Sequence, residues 1–116
     1  MTTIDLLKKT KAAWGSIRSA NAEEKNRLLL AMAESLEENQ ADILRENQKD
    51  MDAARGSISD VMLDRLYLDK DRIDAMADGI RATVALPDHT GRILAQIDHP
   101  NGMKIYKKQV PLGLVA

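Results

Sequence analysis

Residues 21–55 constrain this chain more than any other stretch. In NAEEKNRLLLAMAESLEENQADILRENQKDMDAAR, the residues Leu29, Met32, Ala33, Leu36, Ile43, Leu44, Met51 and Ala54 recur at three- and four-residue steps. That spacing is the apolar stripe of an amphipathic helix, with one face packed and the other solvated. Lys25, Arg27, Glu34, Glu37, Glu38, Arg45 and Glu46 fall largely off the stripe. Asn21 followed by Glu24 predicts a capping box, in which each side chain satisfies an orphan backbone donor. The stripe is interrupted where its steps land on Gln40 and Asn47, and a polar group at a packed station destabilises unless it finds a partner. Asn39 tolerates a left-handed closing conformation and Asp42 suits a helix start. Two consecutive helices with a break near Asn39 and Gln40 are therefore expected, not one rod.

The packing material points the same way. With 116 residues the chain supports one domain. It has no Phe, one Trp and two Tyr, so Leu, Ile, Met, Val and Ala must build the core. Zero Cys excludes disulfides, a thiolate nucleophile and a Cys-ligated metal within these residues. A net charge of −1 argues against a dedicated nucleic-acid or membrane-surface protein. No apolar run reaches bilayer-spanning length, and the N-terminus interleaves charges with apolar residues, unlike a secretory signal. A cytoplasmic protein is expected.

Around that stretch, Thr2 or Thr3 caps a first helix carrying Leu6, Thr10, Ala13, Trp14 and Ile17 on one side. Gly56 terminates the helix ending at Arg55. Ser59 caps a short helix with Val61, Met62, Leu63 and Leu66. Asp69 caps another, in which Ile73, Met76, Ala77, Ile80 and Val84 keep the helical period up to Pro87. The period then changes to two: Ile93, Ala95 and Ile97 alternate with Leu94, Gln96 and Asp98. His99-Pro100-Asn101-Gly102 predicts a hairpin turn with Asn-Gly supplying the positive backbone angles, and Met103 to Val110 the returning strand. The expected fold is mainly α, four to five helices followed by a β-hairpin. The closing LGLVA reads as the first residues of a buried strand, so the chain is expected to be a piece of a longer protein.

Candidate chemistry is sparse. Asp88-His89 and Asp98-His99 flank one predicted strand, and an Asp can orient a His for base catalysis or metal binding. They lie too far apart along that strand to share one metal, and both residue types favour turns for backbone reasons. Lys104, Lys107 and Lys108, with Tyr106 between them, faintly resemble a stacking surface for nucleic acid; protection of an exposed strand edge is the preferred reading. Trp14 reads as packing or a partner interface, and the six Met as gap-filling core. The pairs Glu23-Glu24 and Glu37-Glu38 lie on solvated faces. GxGxxG and GxxxxGK[ST] are absent. The residues alone give no catalytic, cofactor-binding or metal site.

Three stretches are familiar in combination: EKNRLLLAMAESLEENQADILRENQKDMDAAR, MLDRLYLDKDRIDAMADGIRATVALPDHTGRI and GMKIYKKQVPLGLVA. In content, order and spacing they resemble the N-terminal portion of the γ-glutamyl phosphate reductase family, the glutamate-5-semialdehyde dehydrogenases of the aldehyde dehydrogenase superfamily. The resemblance implies an α/β parent with a Rossmann-like cofactor domain. It implies NADPH-dependent reduction of γ-glutamyl phosphate to glutamate 5-semialdehyde in proline biosynthesis, through a Cys thiolate and a thioester. It further implies that residues 1–91 are the helical part of the cofactor-binding domain, residues 92–110 an oligomerisation hairpin, and residues 111–116 the start of a truncated buried strand. The partners implied are the rest of the enzyme and further copies of it, with no nucleic acid or membrane. NADP(H) would bind the complete enzyme and not this piece, which is expected to be inactive alone. A stand-alone helical interaction module and a piece of another aldehyde dehydrogenase are the competing readings.

Overall fold

The computed structural model describes residues 2–115. Five helices precede one hairpin: α1 (Thr3–Arg18), α2 (Ala22–Glu38), α3 (Gln40–Ala54), α4 (Asp60–Leu66), α5 (Lys70–Val84), β1 (Ile93–Asp98) and β2 (Lys104–Lys108). The mainly helical expectation holds, and the helix starts follow from the side chains that cap them. Thr2 and Asp5 form a reciprocal box at α1. At α2 the Asn21 N–H donates to Glu24 Oε2 at 2.8 Å and the Glu24 N–H to Asn21 Oδ1 at 2.9 Å. Ser59 and Asp69 cap α4 and α5.

The α2–α3 break falls at Asn39, as expected, but by a different device. Asn39 has φ −95° and ψ 12°, not a left-handed conformation. Its Nδ2 instead donates to the Ser35 carbonyl at 2.8 Å, which also accepts the Asn39 N–H at 3.1 Å, so one acceptor near the end of α2 holds both Asn39 donors. The helical bonds resume at once, with the Ile43 N–H donating to the Asn39 carbonyl at 3.0 Å.

The chain divides into two compact units. In residues 26–86, α3 packs on α4 and on α5. Ala33, Ile73 and Ala77 reach 0% exposure, and Asn47 is 8% exposed. The stripe residues Leu29, Leu36, Ile43, Leu44, Met51 and Ala54 are half-buried around them. The Met residues depart from the core role expected of them: Met32, Met62, Met76 and Met103 are exposed, Met51 is half-buried, and Met1 lies outside the described residues. Within residues 26–86 a core closed by two alanines and one isoleucine is narrow, so Met32, Met62 and Met76 stay in solvent; Met103 belongs to the other unit.

The second unit, residues 1–25 and 87–116, contains α1 and the hairpin. No α1 residue is fully buried. β1 and β2 pair antiparallel, with a register shift between Ile93 and Ala95 that leaves Leu94 as the extra residue of a bulge. The turn differs from the two-residue Asn-Gly form. The His99 N–H donates to the Met103 carbonyl at 2.8 Å and the Gly102 N–H to the His99 carbonyl at 2.9 Å. Gly102 has φ +85°, and no non-glycine among the described residues has positive φ. Pro100 explains this. A two-residue loop would pair Pro100 with Met103, yet Pro100 has no N–H to donate. A three-residue loop with glycine in the left-handed position avoids that pair.

Residues 111–115 form no strand, Leu112 is 94% exposed, and Ala116 lies outside the described residues.

Candidate functional site

The second unit holds a groove of about 630 Å³, lined by Trp14 and Arg18 of α1, Thr90 and Gly91 of the loop before β1, and residues 108–111 with Gly113. Trp14 and Arg18 share the groove because they lie four residues apart on one helix face. Strand pairing continues past β2 to hold the other wall. The Gln109 N–H donates to the Arg92 carbonyl at 2.9 Å, and the Gly91 N–H to the Gln109 carbonyl at 2.9 Å. The buried Gln109 Oε1 accepts no hydrogen bond among the described residues. Trp14 is half-buried, consistent with packing that leaves part of the ring accessible. The sequence reading missed Arg18 and Gln109. The i,i+4 spacing from Trp14 could have indicated Arg18; nothing local marks Gln109.

Asp88 is committed elsewhere than His89. Lys25 Nζ donates to Asp88 Oδ2 at 2.8 Å, and the Thr90 N–H donates to Oδ1 at 2.9 Å. Lys25 chiefly, then the Thr90 backbone and hydroxyl, hold the Asp88 carboxyl down at about 2. Such a group stays ionised and is a poor proton acceptor near neutrality. Asp98 Oδ1 accepts from Gln96 Nε2 at 3.0 Å. His99 Nδ1 faces the Asn101 N–H at 3.5 Å. Neither Asp–His pair is hydrogen-bonded among the described residues. No three His, Asp or Glu side chains among them converge to hold a metal ion.

The other candidates separate as well. Lys104, Lys107 and Lys108 are exposed along β2 beside the exposed Tyr106. Glu37 takes a structural role, accepting from Arg81 Nη2 at 2.5 Å across α2 and α5. That contact is the main reason its carboxyl lies below the ordinary range. Glu24 serves in the α2 cap, and Glu23 and Glu38 are exposed. Within residues 26–86, a groove of about 350 Å³ lies among Met32, Ser35, Leu36, Asn39, Ile43 and Ile80. It is mostly apolar and offers no titratable group. No helix among the described residues is long and apolar enough to cross a membrane.

No protein-family model matches the chain. It is 56% identical over 105 residues to a γ-glutamyl phosphate reductase of Neisseria meningitidis serogroup C, a match covering 90% of this chain and 25% of that protein. It is 55% identical over 100 residues to the γ-glutamyl phosphate reductase of Streptococcus pneumoniae serotype 19F, covering 86% and 24%. The crystal structure of γ-glutamyl phosphate reductase from Thermotoga maritima superposes with a TM-score of 0.86 at 31% identity, over 93% of this chain and 26% of that one. The chain thus spans about a quarter of the length of the relatives it matches. In sequence and in fold, this chain is homologous to a quarter-length region of the γ-glutamyl phosphate reductases.

Proposed function

We propose that the chain forms the N-terminal part of an NADP-dependent reductase of the aldehyde dehydrogenase superfamily. The complete enzyme would convert L-γ-glutamyl phosphate to L-glutamate 5-semialdehyde in proline biosynthesis, in the cytoplasm. One observation carries this reading: 56% identity over 105 residues to a protein named as that reductase. The fold likeness to a solved reductase supports it as well.

Within that enzyme, residues 1–91 serve as helical scaffold of an α/β cofactor domain. Residues 92–110 serve as a subunit contact, and residues 111–116 begin a buried strand. The exposure of Leu112, Leu114 and Val115 supports a partner surface for that segment. The partners are the rest of the reductase and further copies. The reaction needs a nucleophile for the acyl phosphate; the chain contains no Cys, so a thiolate would come from residues outside these.

In this reading the nicotinamide cofactor is held by residues outside these. One form of phosphate cradle is a glycine cluster opening a helix. Here Gly56, Gly91, Gly102 and Gly113, the positive-φ glycines, are scattered, and none of them opens a helix.

A chimera tests the reading. The matched 105 residues of the Neisseria meningitidis reductase are replaced by those of this chain. Reduction of NADP is then followed with glutamate 5-semialdehyde and phosphate. Activity of the same order as the unaltered enzyme is expected. A folded chimera with no activity contradicts the proposal.

A further inference from the structure

Asn101 supplies no left-handed backbone to the hairpin loop, where only Gly102 takes a positive φ, +85°. Its side chain is used instead. Oδ1 accepts the Met103 N–H at 3.0 Å, reaching past Gly102. Asn101 and Gly102 are both exposed at the tip of the loop. Nothing lies within 4 Å of where a Gly102 side chain would begin. The Asn101 amide carbon, Cγ, therefore stands beside a backbone nitrogen that no side chain shields, with a donor already on its oxygen.

We infer that Asn101 is a site of self-modification, at which the Gly102 nitrogen attacks Asn101 Cγ and the loop converts to isoaspartate and aspartate. The N–Cγ bond forms as the Cγ–Nδ2 bond breaks, and Nδ2 leaves as ammonia with the proton of the Gly102 N–H. Water then opens the cyclic imide. Opening at the Asn101 backbone carbonyl carbon gives isoaspartate, and opening at Cγ gives aspartate. The Met103 N–H points at the oxygen on which negative charge develops during attack, where a donor lowers the barrier. One bond opposes the reaction: the Gly102 N–H donates to the His99 carbonyl at 2.9 Å and must first be released. At a solvated loop tip such local opening takes little free energy. The other asparagines lack this setting. Asn21, Asn26, Asn39 and Asn47 precede Ala22, Arg27, Gln40 and Gln48, whose side chains crowd the attacking nitrogen, and they cap or lie within helices. Isoaspartate adds a methylene to the main chain of the loop, so the closing bond from the His99 N–H to the Met103 carbonyl loosens. The inference concerns these residues alone and stands whether or not the enzymatic reading does.

The test is mass spectrometry of this chain, incubated folded at mildly alkaline pH and body temperature, then digested briefly with trypsin beside an unincubated sample. Peptide 93–104 should gain about 1 Da with time. The heavier peptide should separate into two forms, one of which accepts methyl from S-adenosylmethionine through an isoaspartyl methyltransferase. Asn101 should react at least about tenfold faster than any other asparagine, and G102A should slow it at least about tenfold, because a Cβ crowds the attacking nitrogen. N101Q, which leaves the turn glycine in place, should keep its mass. A folded chain that holds Asn101 intact while the urea-unfolded chain loses it overturns the inference, since the turn then shields the site. A G102A chain that deamidates at the wild-type rate overturns it, as does faster loss at another asparagine.

Discussion

Asn47 fastens Leu68: its Oδ1 accepts the Leu68 N–H at 2.9 Å, while its Nδ2 donates to the Leu66 carbonyl at 2.8 Å. One buried carboxamide thereby satisfies both a donor and an acceptor in the link between α4 and α5. The polar interruption of the apolar stripe is thus a structural tie. Gln40, the other polar interruption, donates to Asp74 Oδ1 at 3.0 Å and ties α3 to α5.

Asn47→Ala removes both bonds and leaves a backbone donor and acceptor without partners. A loss of about 2–3 kcal/mol is expected, given the penalty for buried unsatisfied groups. Asn47→Asp keeps the acceptor but sets a carboxylate against the Leu66 carbonyl, so it should also destabilise. Urea denaturation checks both, with the midpoint lowered at unchanged slope.

Ile73 is the largest fully buried side chain among the described residues. Ile73→Ala should destabilise by about 3 kcal/mol, the sum of lost transfer energy and a cavity that closes only in part. Few other side chains share the load, so loss of helical circular dichroism near room temperature is the expected readout. Met76→Ala one turn along α5, where the side chain is exposed, should have little effect.

Asp88 makes stability depend on acid. Its carboxyl is lowered from an ordinary 3.8 to about 2 by Lys25 first, then by the Thr90 backbone and hydroxyl. A depressed carboxyl contributes stability that is present above the unfolded value and lost as pH falls through the folded one. Thermal midpoints should therefore fall as pH drops from 3.8 toward 2. Asp88→Asn should flatten that part of the profile and lower the midpoint at neutral pH.

Much of this architecture was legible in the residues because its signals are local. The Asn21–Glu24 cap, the Ser59 and Asp69 caps, the Gly56 stop and the period of α5 need only neighbours within a turn. The Asn39 break was legible as a place, not as a conformation, since Ser35 offered its carbonyl where a left-handed residue was expected. The hairpin was legible, but its loop was not, because Pro100 rules out the shorter turn. The Trp14 groove was hidden because its walls are some seventy to one hundred residues apart in the sequence. The exposed methionines were hidden for a related reason: periodicity names the face a residue lies on, not how wide the packed core is.

The helices carry apolar faces that find too little surface within these residues. Denaturant midpoints of this chain, alone and mixed with the rest of the Neisseria meningitidis reductase, test that most directly. A low midpoint that rises on mixing, with residues 111–115 gaining protection from hydrogen exchange, is the predicted result. A high midpoint that does not respond to the added protein contradicts it.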